Sequence, residues 1–207
     1  AIASEYYLGM IEISNPPKSP KRLAKSQEKA INYFKNYIEK APDGRFALKS
    51  IEEIIKLDKS LSNYDNLLIA KGYYANGEFE KSKVFLNKTT LAESWSDFAK
   101  NEYKLGNKEK GNYYTELGLK QHAGNTAQDD VYEVIDNYVA AASTRTEGIT
   151  KLVNLGANST GADYIAYLNC NEVVGENVKE ACFRSLYEKY PNGQFSADSL
   201  YNLFITK

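Results

Sequence analysis

The sequence predicts an all-α protein, an α-α superhelix (solenoid) of antiparallel helical hairpins. Apolar residues recur with the 3.6-residue period of helices, whereas the alternating β-branched runs typical of strands are missing. Short breaks containing Gly or Asn separate the apolar segments. The clearest helical face comprises Val131, Val134, Ile135, Tyr138, Val139 and Ala142.

The breaks divide the chain into about twelve helices. We predict them at 1–13, 21–40, 44–57, 62–75, 78–88, 91–105, 107–122, 127–143, 146–156, 161–170, 175–190 and 195–206. Turn centres near residues 77, 106, 144 and 173 give repeat units of about 29 to 38 residues, the range of helical hairpin repeats. A single hairpin is too small to bury its own apolar face, so stacked hairpins should form a right-handed, curved solenoid.

We predict one domain over residues 1–207. It has N-terminal helices at 1–61, stacked hairpins at 62–190 and the start of a further hairpin at 191–207. The N-terminal segment resembles a helix and not a signal peptide. We therefore expect the chain to be part of a longer protein, with any export signal upstream or removed.

One helix-to-helix corner occurs twice in the sequence, as APDGRF at 41–46 and as YPNGQF at 190–195. Pro191 lacks an amide hydrogen and ends the preceding helix, and Asn192-Gly193 supplies a turn. Phe195 can then pack back on the previous helix. We interpret both corners as structural features and not as binding loops.

The net charge is −1, from 26 basic and 27 acidic residues. This balance gives no broad attraction to nucleic acid or to an anionic membrane. No apolar run approaches the ~20 residues of a membrane span. We expect neither a nucleic-acid partner nor a membrane span in this chain.

The corner YPNGQFSADSLYNLF resembles the Tyr-Pro-Asn-x-x-(Phe/Tyr)-Ala-x-x-Ala-Leu signature of bacterial envelope proteins with tetratricopeptide-like repeats. The segment YYANGEFEKSKVFLNK (73–88) looks like the second half of such a repeat. The tract from Leu91 to Asn125 is similar to a hairpin in the superhelical region of soluble lytic murein transglycosylases, with its Trp-bearing helix, short turn and second helix. The resemblance covers most of 62–207.

This resemblance implies a non-catalytic scaffold in the periplasm or cell envelope, which positions peptidoglycan strands or partners for a catalytic domain outside this chain. The catalytic domain of that family carries a Glu-Ser pair followed by Gly-Leu-Met-Gln. Here Glu93-Ser94 is followed by Trp95 on a helical face, so the catalytic Glu of such an enzyme would lie beyond Lys207. The alternative is a tetratricopeptide-like module of an envelope assembly lipoprotein or a cytoplasmic adaptor, with a protein or peptide on its concave face.

Residues with catalytic or metal-binding chemistry are few. The only histidine, His122, has no second histidine as a metal or triad partner, and we expect it to face solvent or to cap a helix. The loop GANSTGAD (156–163) lacks the Lys of a phosphate loop; we expect Ser159 or Thr160 to cap a helix there. We predict no catalytic residue, metal or cofactor in this chain.

Acidic clusters are also present. We interpret these as solvated helix starts and polar faces rather than glycosidase carboxyls: Glu52-Glu53, Asp129-Asp130-Glu133 and Glu172-Glu176.

Tyrosine is abundant, with 17 residues. Because consecutive helix residues point about 100° apart, one ring of each Tyr-Tyr pair can be buried while the other is exposed. Exposed rings could stack on sugar faces or hold a peptide. We name Tyr73, Tyr74, Tyr113 and Tyr114 as candidate binding residues, with inter-helix packing as the alternative.

Cys170 and Cys182 are the only cysteines. One closes a helix and the other lies early in the next, so a hairpin could bring them together. An oxidising envelope would allow a disulfide, whereas in a cytosol they would be two small core residues. The bond requires Cα atoms within ~7 Å of each other.

Overall fold

The computed structural model of the chain describes residues 2–121, 127–155 and 160–205. Within these ranges it contains twelve helices and no strand, with 79% of the chain helical, which confirms the all-α prediction. The helices are α1 (Ile2–Ser14), α2 (Pro20–Lys40), α3 (Ala47–Leu57), α4 (Asn63–Ala75), α5 (Phe79–Leu86), α6 (Leu91–Lys104), α7 (Lys108–Gln121), α8 (Gln128–Ala141), α9 (Arg145–Leu155), α10 (Ala162–Glu172), α11 (Glu176–Lys189) and α12 (Ser196–Ile205).

The chain divides into two compact units, residues 1–90 and residues 91–207. In the first unit, α1 packs on α2, α2 on α3 and α4 on α5, and α4 also touches α2 and α3. In the second unit, α6 packs on α7 and α8, and each helix from α8 to α11 packs on the next helix along the chain. That all 207 residues form one domain stays a prediction.

The turns after α4 and α6 share one geometry. After α4, the amide of Glu78 donates to the carbonyl of Tyr73 at 2.9 Å, and the amide of Gly77 donates to that of Tyr74 at 3.0 Å. The turn after α6 repeats both bonds one helix pair later, with Gly106 in the place of Gly77. The two glycines have φ of 76° and 79°, the left-handed backbone that this C-terminal motif requires.

The predicted helix bounds agree with the structure to within a few residues, and the largest differences have local causes. Helix α3 begins at Ala47 and not at residue 44, because the corner is still turning there: the amide of Ala47 donates to the carbonyl of Gly44 at 2.8 Å. Helix α10 is capped by Gly161, so the prediction that Thr160 caps it is wrong. A Cβ at residue 161 would lie 2.9 Å from side-chain atoms of Ile135 and Val131, which favours glycine at the cap.

The core of the second unit is centred on α8. The predicted apolar face of this helix is buried from Val131 to Val139, and Trp95 of α6 and Leu152 of α9 are fully buried against the same cluster. The core of the first unit is built mainly from Phe34, Ile38, Ile51, Ile54 and Ile69. No helix in the part of the chain that the structure describes is both long enough and apolar enough to cross a membrane.

The two corners have the same backbone hydrogen bonds. In the first, the amides of residues 41, 44, 47 and 50 donate to the carbonyls of residues 37, 41, 44 and 46. In the second, the amides of residues 190, 193, 196 and 199 donate to the carbonyls of residues 186, 190, 193 and 195. The duplicated sequence therefore forms the same turn in each unit.

In each corner the phenylalanine also packs on an earlier helix. That helix is the one before the helix that ends at the corner: α1 for Phe46 and α10 for Phe195. Phe46 stacks on Tyr6 of α1 with the ring centroids 4.4 Å apart and the planes parallel to within 1°. Phe195 stacks on Tyr164 and Tyr167 of α10 at 4.6 and 4.9 Å. We expected the ring to pack on the previous helix, and Phe46 does meet Tyr37 of α2 edge-on at 6.1 Å. The stacked partners of both rings, however, lie one helix earlier.

Candidate binding surfaces

The four candidate tyrosines lie in two places. Tyr73 and Tyr74 lie on α4 of the first unit, and Tyr113 and Tyr114 lie on α7 of the second. Each pair is a candidate surface of its own unit, and binding at either stays a prediction.

Tyr73 is buried, with its ring 5.7 Å from Phe85 and the ammonium of Lys81 also 5.7 Å from its centre. Burial raises the pKa of its hydroxyl. Tyr74 is half-buried and meets Phe79 edge-on at 5.4 Å. These rings pack between helices and offer little open aromatic face to a ligand.

Tyr113 is the accessible member of the four, with 60% of its surface exposed. It meets Tyr114 edge-on at 5.4 Å, and Tyr114 in turn stacks on Phe98 of α6 at 5.0 Å. We call these three rings the α6–α7 aromatic surface. Because Phe98 is buried and Tyr114 half-buried, the exposed ring of Tyr113 rests on a fixed support.

Sequence reasoning missed four other exposed tyrosines: Tyr7, Tyr64, Tyr187 and Tyr201, which are 54%, 55%, 38% and 66% exposed. The Tyr64 hydroxyl donates a hydrogen bond to Glu39, and this bond raises its pKa to about 12. The sequence signal for Tyr7 was its position beside Tyr6 in a Tyr-Tyr pair. Tyr64 and Tyr201 have no such signal.

The acidic cluster at 129–133 is not simply a solvated surface. Asp130 and Glu133 face the ammonium of Lys100, at 2.6 and 3.6 Å, and Asp97 lies 3.7 Å from it. Lys100 itself is 7% exposed. Burial lowers the pKa of the Lys100 ammonium, but the three carboxylates outweigh it, so the pKa is raised and the charge is kept.

Glu172 also has partners, because it accepts hydrogen bonds from Arg145 at 2.9 Å and from Thr146 at 3.1 Å. The pKa is lowered for the carboxyls of Glu12, Asp65 and Glu147. Hydrogen bonds from Ser26 and Lys29 do this for Glu12, and the ion pair with Lys151 does it for Glu147. Burial raises the pKa of Asp65, but Lys35 and Ser62 more than offset it. Such carboxyls hold a negative charge, whereas a general acid needs a raised pKa.

Cys170 and Cys182 form a disulfide that joins α10 to α11, with an S–S distance of 2.00 Å. Their Cα atoms are 5.5 Å apart, within the limit that such a bond requires. His122 lies outside the described residues, as do Gly156 to Ser159 of the glycine-containing loop. Within residues 2–121, 127–155 and 160–205, no group of three or more His, Cys, Asp and Glu could hold a metal ion.

No protein-family model matches the chain, and no curated protein matches it significantly.

Proposed function

We propose that this chain is a non-catalytic, tetratricopeptide-like α-α superhelical scaffold of a bacterial peptidoglycan lytic transglycosylase. In this role it positions murein strands for a catalytic domain outside residues 1–207. The duplicated corner is the main observation in support of a scaffold built from helical repeats. Identical hydrogen bonds and a stacked phenylalanine recur at 41–50 and 190–199, as expected of a chain assembled from helical repeats.

The α6–α7 aromatic surface is the best-supported place for a glycan strand. An open aromatic ring packs against the apolar C–H face of a sugar, and a ring that is already fixed loses little entropy on binding. Tyr113 meets both conditions, since it is exposed and backed by Tyr114 and Phe98. This surface also lies in the tract 91–125 that resembles a transglycosylase hairpin.

The disulfide supports a periplasmic or cell-envelope location. Disulfides persist in oxidising compartments such as the periplasm, whereas the cytosol keeps thiols reduced. The bond between Cys170 and Cys182 therefore favours the envelope over the cytoplasmic alternative.

Binding to purified murein sacculi tests this proposal. The chain should co-sediment with sacculi, and Tyr113→Ala should weaken binding about fivefold, since one aromatic stacking contact contributes about 1 kcal/mol. Tyr201→Ala is the matched control, because Tyr201 is also exposed but lies on α12, away from the α6–α7 aromatic surface. Equal retention of the Tyr113 and Tyr201 variants would refute the assigned surface, and release of anhydro-muropeptides by this chain alone would refute the scaffold role.

A protein partner is the second candidate function, and one observation favours it. Tyr7, Leu8 and Ile11 share one face of α1 and are 54%, 40% and 64% exposed. An apolar strip of this kind is typical of a protein-binding surface. Recovery of one specific protein that no longer binds an Ile11→Asp variant, together with no retention on sacculi, would favour this reading.

A further inference from the structure

A pocket of about 270 Å³ opens between α9, α10 and α11 of the second unit. We call it the α9–α11 pocket. Its walls are mainly apolar: Val153, Ala162, Ile165, Ala166, Cys170 and Leu186. An apolar cavity of ~150 Å³ already holds a benzene molecule, so this pocket has room for a six- to eight-carbon chain or a Leu-sized side chain with its backbone.

Besides Tyr190, three polar side chains line the pocket: Asn169, Ser185 and Lys189. In the described part of the chain none of them makes a side-chain hydrogen bond or an ion pair, although the ammonium of Lys189 lies 5.3 Å from the centre of the Tyr190 ring. Lys189 is the one charged residue among the described residues that line the pocket. An apolar cavity with a few convergent polar groups is the usual form of a small-ligand site.

We propose that the α9–α11 pocket binds an apolar group that carries a carboxylate. The apolar part fills the space against Ile165, Ala166 and Leu186, and the carboxylate lies at the rim beside Lys189. Asn169 and Ser185 supply hydrogen-bond donors for the carboxylate oxygens. Both a free monocarboxylate and the C-terminal end of an apolar peptide have this chemistry.

The disulfide supports the same assignment, because Cys170 and Cys182 both line the pocket and hold its α10 and α11 walls at a fixed separation. A preformed pocket loses little conformational entropy on binding, because its walls are already ordered. The proposal does not depend on murein binding, since none of the three rings of the α6–α7 aromatic surface lines this pocket.

Calorimetric titration of the oxidised 207-residue chain tests the proposal with two pairs of probes. One pair is octanoate and octanol; the other is acetyl-Gly-Gly-Leu as the free acid and as the amide. Saturable binding of octanoate or of the peptide acid is expected. The neutral counterpart should bind about fivefold more weakly, the upper end of the loss for a solvent-exposed ion pair. Which acid binds more tightly distinguishes a free carboxylate from a peptide end.

Three variants locate the site. Lys189→Gln should weaken the acids about fivefold and leave the neutral probes unchanged. Lys120→Gln, on α7 away from the pocket, is the matched control for loss of charge and should bind as the unchanged chain does. Ala166→Phe should fill the pocket and abolish binding of every probe.

Val153→Glu provides a second test should Ala166→Phe not fold. Val153 is 41% exposed, so the fold should tolerate this change, and the added carboxylate should repel the acids more than the neutral probes. Equal binding of acid and neutral probes would overturn the carboxylate assignment. Absence of saturable binding, or unchanged binding in both pocket variants, would overturn the site.

Discussion

Gly118 of α7 lies against the indole of Trp95, and we expect Gly118→Ala to destabilise the second unit. A Cβ at residue 118 would lie 2.0 Å from both Cδ2 and Cε3 of Trp95. Carbon atoms in contact are ~3.5–4.0 Å apart, so one of the two side chains would have to move by ~1.5 Å or more. Trp95 is fully buried in the core cluster of the second unit, so a shift of the indole would displace its neighbours.

Two effects of opposite sign set the size of the loss. Overpacking of this kind typically costs ~1–3 kcal/mol, and the large overlap here favours the upper end. Alanine in a helix interior is favoured over glycine by ~1 kcal/mol. We therefore expect the free energy of unfolding to fall by ~2 kcal/mol, or by ~1 M in the urea midpoint for a typical slope.

Urea unfolding followed by fluorescence measures this effect in the second unit, because Trp95 is the only tryptophan. Trp95→Leu supplies the internal control. The Trp95→Leu protein has no tryptophan, so its unfolding, with and without Gly118→Ala, is followed by circular dichroism. Once the indole is gone, Gly118→Ala should be neutral or stabilising by up to ~1 kcal/mol. An unchanged midpoint for Gly118→Ala, or the same loss in both backgrounds, would refute the packing argument.

Three further predictions follow from other contacts. Replacing Cys170 and Cys182 by alanine, or reducing the disulfide with a thiol reductant, should lower the free energy of unfolding of the second unit by ~3 kcal/mol, because the bond closes a loop across a sequence separation of 12 residues. As a control, the reductant should leave the urea midpoint of the alanine variant unchanged. The folded-state pKa of Asp65 is lowered, so its contribution to stability is complete above the unfolded pKa of ~3.9 and is lost as the pH falls through the folded value. Asp65→Asn should therefore lower the thermal midpoint at pH 7 and flatten its fall below pH 4, whereas a parallel fall in both proteins would contradict this role. Phe195→Ala should lower the free energy of unfolding, measured in urea, by ~3 kcal/mol, because the space beside Tyr164 and Tyr167 is left unfilled, and Phe195→Leu should lower it clearly less. Equal losses would indicate that ring stacking, and not side-chain volume, holds the corner.

Helix positions are the part of the fold that the sequence predicts best, because their signals are local. The 3.6-residue period of α8 and the left-handed glycines after α4 and α6 depend on a few neighbouring residues. The same holds for the two corners, whose shared backbone hydrogen bonds join residues no more than four positions apart.

The candidate sites were less predictable, because they depend on which helices meet. The sequence around Lys100 does not mark it as buried, since two of its three carboxylate partners come from another helix, α8. Likewise, Tyr73 and Tyr113 have equivalent places in Tyr-Tyr pairs, yet one is buried under α5 and the other is open. The α9–α11 pocket is formed by three helices and leaves no signature in any one of them.

The stacking of the corner phenylalanine on a tyrosine means that a corner and the helices it joins can be copied as one unit. This contact requires only a phenylalanine four residues after the proline and a tyrosine on the helix before the one that ends at the corner. A gene that duplicated or deleted such a helix pair would carry both halves of the joint with it. Length variation among descendants of this chain should therefore occur in whole cassettes, with the breakpoints inside helices and the corners preserved.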